Sequence, residues 1–211
     1  MRGGPVMALY CFAWFQSGET ANTPDLLRKR QTLLYTLLIC IPAIVLTRLL
    51  AATLPFSARP IVNPDLHLRL AYHLERAEFV GWSSFPSDHA VMFFALATGM
   101  YLVSRRLGLL LYAQAIFLIA LPRIFLGIHY PSDIIGGALI GFLLAYTGKW
   151  NPSRTFVTHF AFKLQEYSMG LFYVCIMFLL YETAGMYWNL VHTLMLLSHR
   201  AETFFHRIPR G

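Results

Sequence analysis

Five apolar runs set the terms on which this chain can fold. Residues 31–54, 89–103, 108–128, 134–147 and 167–181 are dominated by aliphatic, aromatic and small side chains, and polar stretches separate them. A helix that crosses the hydrocarbon core of a bilayer needs about 20 mostly apolar residues, and every backbone N–H and C=O inside that core must be paired within the segment. Runs of this length and spacing predict an all-α, polytopic membrane bundle of about five to six transmembrane helices. Charged residues make up only 13% of the 211 positions, against about 25% in soluble domains, so a soluble globular domain is excluded. Pro42 lies inside the first run and predicts a kink, which neighbouring helices can tolerate.

The polar stretches decide the orientation. Arg28-Lys29-Arg30, Arg105-Arg106 and the Lys149/Arg154 pair are separated by even numbers of crossings and so share one face of the membrane. Short loops rich in Lys and Arg sit on the cytoplasmic side. Odd crossings then bring residues 55–88 and 123–133 together on the outer face. The net charge of +7 is spread over these loops, so it reads as topology and lipid-headgroup contact, with no nucleic-acid role. The 17 Phe, 11 Tyr and 4 Trp suit lipid-facing positions and interface belts. Cys11, Cys40 and Cys175 lie in apolar runs without metal or disulfide spacing and read as buried thiols. The run 6–15 is too short to span alone, and no small-residue cleavage site follows it; it reads as the tail of a span that begins upstream. Residues 66–79 have the pattern of a short amphipathic helix, and 188–197 that of an interfacial one.

Histidine and charge recur where the runs meet the outer face. Arg123 lies near the outer end of one run, a costly place for a charge that is neither paired nor used. Tyr130-Pro131 should end that helix, because a residue before proline avoids the helical region, and His129 then sits in the break. Pro131-Ser132-Asp133 reads as the start of the next helix, with Ser132 as its N-cap. Asp133, four residues past His129, is close enough to accept a hydrogen bond from one imidazole nitrogen. That bond would fix the tautomer and leave the other nitrogen free as a nucleophile. A satisfied structural histidine in a helix turn would show the same spacing.

Pro86-Ser87-Asp88-His89 has the same local grammar: proline, serine and aspartate precede an apolar helix. The first turn of such a helix presents unpaired N–H groups that bind phosphate, and His89 on that turn could protonate a leaving oxygen. An ordinary N-cap would read the same way. Arg59-Pro60 adds a cation at the membrane edge, and Arg59 with Arg123 could hold phosphate oxygens and offset charge that builds up in transfer. No cluster has the carboxylate density of a magnesium site, so the chemistry expected is free of metal and cofactor.

These three stretches resemble the motifs of the type 2 phosphatidic acid phosphatase (PAP2) superfamily: Lys-x6-Arg-Pro, Pro-Ser-Gly-His and Ser-Arg-x5-His-x3-Asp. Here the last reads Pro122-Arg123-x5-His129-x3-Asp133. The resemblance covers about residues 31–148. It implies a histidine phosphatase on a helical bundle, with His129 as the nucleophile that forms a phosphohistidine, Asp133 orienting it, and His89 as the general acid. Arg59, Ser87 and Arg123 would occupy phosphate-binding positions. The chain departs from the pattern in three places. Ala52 stands at the motif lysine, Asp88 at the glycine and Pro122 at the serine. Arg48, one helical turn before Ala52, is a candidate replacement for the missing cation. The Asp88-His89 pairing is similar to the bacitracin-resistance branch, the undecaprenyl-diphosphate phosphatases, and a carboxylate there would favour the protonated imidazole of a general acid.

The expectation is therefore a membrane-embedded phosphatase of the bacterial plasma membrane that acts at the outer face. Its substrate is a lipid phosphate, with undecaprenyl diphosphate first. The alternatives are a glycerophospholipid or lipid A phosphatase or phosphotransferase, and a non-catalytic lipid-phosphate binder. Three blocks organise the chain: 1–30, a partial span and cytoplasmic linker; 31–148, the core that carries the motifs; and 149–211, a linker, a final span and an interfacial tail. The motifs specify no oligomeric state.

Overall fold

The computed structural model describes residues 3–16, 24–66, 68 and 79–186. All regular structure among them is helical: α1 (Gly4–Gln16), α2 (Pro24–Thr53), α3 (Asp88–Val103), α4 (Arg105–Gln114), α5 (Leu121–Phe125), α6 (Pro131–Tyr146), α7 (Asn151–Tyr167) and α8 (Met169–Ala184). A π-helical stretch, Ala115–Ala120, joins α4 to α5 in one rod. Three stretches are long and apolar enough to cross a membrane, Pro24–Thr53, Arg105–Phe125 and Pro131–Lys149, and α3 and α8 are shorter apolar helices. The chain is an integral membrane protein with the helical architecture that its apolar runs predict.

α3 is the axis of the bundle. Val91, Met92, Ala95, Leu96, Ala97 and Met100 are all fully buried along it, as expected for a helix that is apolar on every side. It packs against α2, α4 and α6. Small residues bring α6 up to it: a Cβ at Gly141 would lie 2.0 Å from the Val91 carbonyl oxygen, and one at Gly137 would lie 2.7 Å from that of Ser87. The two helices therefore run parallel and begin at the same end. α1 closes the other flank, where the Tyr10 hydroxyl donates to the Leu96 carbonyl at 2.7 Å and Trp14 packs on Phe172 of α8.

Several boundaries differ from the sequence expectation. α2 starts at Pro24, so Arg28-Lys29-Arg30 belong to its first turns and not to a linker. Proline is favoured at a helix start, and Asp25 pairs with Arg28 at 2.9 Å and Lys29 at 2.7 Å, the spacing at which helix pairs form. α7 is a separate polar helix that buries Arg154 and Thr158 on one face and exposes Phe156 and Phe160 on the other. Of the three cysteines only Cys40 is buried; Cys11 is half-buried and Cys175 exposed, because the turn of α8 points it away from the bundle. The amphipathic segment expected near 66–79 falls almost wholly outside the described residues, as does 188–197 entirely.

Candidate active site

Residues from three separated stretches meet at the end of the bundle where α3 and α6 begin. The α5–α6 break is built by Gly127, whose φ of +66° is open to glycine and costly for other residues. Its carbonyl accepts the Ile61 N–H at 2.8 Å, which ties the Arg59 loop to the His129 loop. The Ser84 N–H donates to the Ser57 carbonyl at 2.8 Å and the Ser87 N–H to the Asp133 carbonyl at 3.2 Å. These backbone bonds cross from segment to segment and hold the motifs in one cluster.

His129 is 5% exposed, and its Nδ1 lies 2.9 Å from the Ser84 carbonyl oxygen. A carbonyl only accepts, so Nδ1 carries the proton and Nε2 is left with its lone pair. Here the structure differs from the expected His129–Asp133 hydrogen bond. Asp133 Oδ2 is 3.7 Å from Nδ1, too long for a hydrogen bond but close enough to stabilise positive charge on the ring. The carboxylate instead accepts from the Ser84 hydroxyl at 2.5 Å and from the Tyr130 N–H at 2.7 Å. Tyr130, not Ser132, is the N-cap of α6, because Pro131 takes the first helical position and Asp133 reaches back to cap it. Ser84 thus touches both His129 and Asp133, and no motif in the sequence singled it out.

Burial holds the His129 imidazole below the ordinary histidine range; the nearby Asp133 opposes this, and the Arg59 and Arg123 guanidiniums add to it. At neutral pH the ring is the uncharged form.

The phosphate-binding candidates lie on the segments that these backbone bonds tie to the His129 loop. Ser87 is fully buried at the N-cap of α3, and its hydroxyl has no hydrogen-bond partner. Arg59 lies over the Phe79 ring at 5.5 Å, and its buried Nε is likewise unpartnered. Arg123 is 6% exposed, on the last turn of α5. His89 is half-buried on the first turn of α3, stacked on Phe93. Asp88, the residue before it, forms an ion pair with Arg48 of α2. Ala52 is exposed on α2, so the side chain at the departed lysine position takes no part in the cluster. A buried imidazole, a buried serine hydroxyl at a helix start and two arginines are the donor and charge types that a phosphoryl group can use.

The bacitracin transport permease protein BcrC of Bacillus licheniformis is 31% identical over 112 residues, covering 53% of this chain and 49% of its own. The undecaprenyl-diphosphatase BcrC of Bacillus subtilis is 26% identical over 121 residues, 56% of this chain and 57% of its own. The lipid A 4'-phosphatase of Bacteroides thetaiotaomicron is 31% identical over 90 residues, 39% of this chain and 40% of its own. The chain thus spans about half the length of the two Bacillus relatives. No solved structure matches it. Residues 31–156, from the first span to the start of α7, match the PAP2 superfamily, and the chain belongs to that superfamily.

Proposed function

We propose that the protein hydrolyses a polyprenyl diphosphate, undecaprenyl diphosphate first, to the lipid monophosphate at the outer face of a bacterial plasma membrane. The observation that carries this reading is His129. Its Nδ1 proton is committed to the Ser84 carbonyl, which leaves Nε2 for a ligand, and the charges of Arg59 and Arg123 reach the ring. Nε2 forms a bond to the terminal phosphorus while the bond from that phosphorus to the bridging oxygen breaks. His89 gives its proton to the departing lipid phosphate. The imidazolium that carries the phosphoryl group is stabilised by Asp133 at 3.7 Å. Water then attacks the phosphorus, yields its proton to His89, and releases inorganic phosphate from the regenerated His129. The similarity to undecaprenyl-diphosphatase BcrC supports the diphosphate. The similarity to a lipid A 4'-phosphatase supports a second reading, a phosphate monoester on a saccharolipid.

Phosphate release by the purified protein in detergent, with EDTA present, tests this. Undecaprenyl diphosphate, lipid A and phosphatidic acid are compared, with His129→Ala as control. EDTA-resistant release from the diphosphate that vanishes in His129→Ala is expected. Release from lipid A alone selects the second reading, and release from none of the three overturns both.

A further inference from the structure

Arg48 borders the cluster of charges around His129: it pairs with Asp88, and its charge also reaches Arg59. It reaches Asp88 from α2, and its guanidinium lies over the Trp82 ring at 5.1 Å. Its side chain is 38% exposed, and its buried Nε has no hydrogen-bond partner. The ion pair and the indole therefore fix the guanidinium in place while its exposed part stays open to a ligand. Val45 and Leu49 on the same stretch of α2 are exposed apolar side chains, so an acyl or prenyl tail leaving this point would lie in lipid. A diphosphate ester held with its terminal phosphorus at His129 must place its second phosphate toward the lipid tail, on this side.

We propose that Arg48, clamped between Asp88 and Trp82, forms a second phosphate subsite that takes the lipid-side phosphate of a diphosphate substrate. This rests on the diphosphate reading above and gives it a specificity determinant: a monophosphate ester leaves the subsite empty. Arg48 donates from the exposed part of its guanidinium to a phosphate oxygen and keeps Asp88, which offsets its charge in the empty site.

Calorimetric binding of methylenediphosphonate and of inorganic phosphate to the purified protein tests the subsite without turnover. The wild type is expected to bind the diphosphonate more tightly than phosphate. Arg48→Ala should weaken the diphosphonate by about tenfold or more, the worth of one charged hydrogen bond, and leave phosphate within about twofold. Arg48→Lys should recover part of the loss. The double variant Arg48→Ala, Asp88→Asn, which leaves no lone buried carboxylate, should behave as Arg48→Ala does. A wild type with no preference for the diphosphonate, or an equal loss for both ligands in the variants, overturns the subsite. Absence of phosphate release from lipid substrates overturns the functional reading instead, so the two failures are told apart.

Discussion

Ser84 controls His129 through two atoms. Its carbonyl fixes the tautomer, and its hydroxyl donates to the carboxylate that faces the ring. Ser84→Ala keeps the carbonyl and removes only the second contact, leaving Asp133 short of a donor. A lost hydrogen bond to a charged group costs about 1.5–3 kcal/mol. Turnover is therefore expected to fall by about tenfold or more, with calorimetric affinity for inorganic phosphate unchanged. The acid limb of the pH profile belongs to the same residue. In the proposed mechanism His129 is neutral when it attacks, and burial together with Arg59 and Arg123 depresses its pKa. The acid limb of kcat/KM should then lie below about pH 6.5, the ordinary histidine value. Arg59→Gln removes one source of the depression, so the pKa rises and the limb moves to higher pH. A limb that stays put or moves down in that variant would show that Arg59 does not face the nucleophile.

The same partners explain what was legible at the scale of elements. The residues Arg59, Ser87, His89, Arg123, His129 and Asp133 can be assigned from sequence to helix ends and breaks, because proline marks where helices stop and start. Ser84 and the Arg48–Asp88 pair could not, since they depend on which loop and helix faces the fold brings together across 45 and 40 positions. The glycines are an intermediate case: Gly136, Gly137 and Gly141 in one apolar run suit a close helix contact, but sequence does not name α3 as the partner. Gly137 and Gly141 make that contact testable. Gly141→Ala would drive a methyl against the Val91 carbonyl in mid-helix, and overpacking of this kind costs about 1–3 kcal/mol. A lower melting temperature is expected with little change in kcat at low temperature. Gly137→Ala meets the Ser87 carbonyl at the start of α3, so it should displace the phosphate-binding turn and lower kcat/KM as well. Equal effects of the two substitutions on activity would mean that the start of α3 does not form part of the site.

At the scale of the whole molecule, two charged regions mark opposite ends of one bundle. At one end Arg154 donates to the Gly148 carbonyl and approaches Gln31 at 3.4 Å, close to the basic start of α2. At the other, Arg48 meets Asp88 where the candidate site lies. A bundle with cations at both ends does not obey the positive-inside rule through charge alone. The rule counts short loops, and the arginines at the site end, Arg48 and Arg123 on helices and Arg59 in a loop, are accounted for by the proposed phosphate ligand and not by topology. The orientation can be read directly with single cysteines in a background lacking Cys11, Cys40 and Cys175. Phe56→Cys, at an exposed position beside the Arg59 loop, and Lys149→Cys, at an exposed position at the opposite end, report the two faces. A membrane-impermeant maleimide should label Phe56→Cys in intact cells and Lys149→Cys only after permeabilisation. The reverse pattern would put His129 on the cytoplasmic side, where the substrate would have to be the inner-leaflet form of the lipid diphosphate.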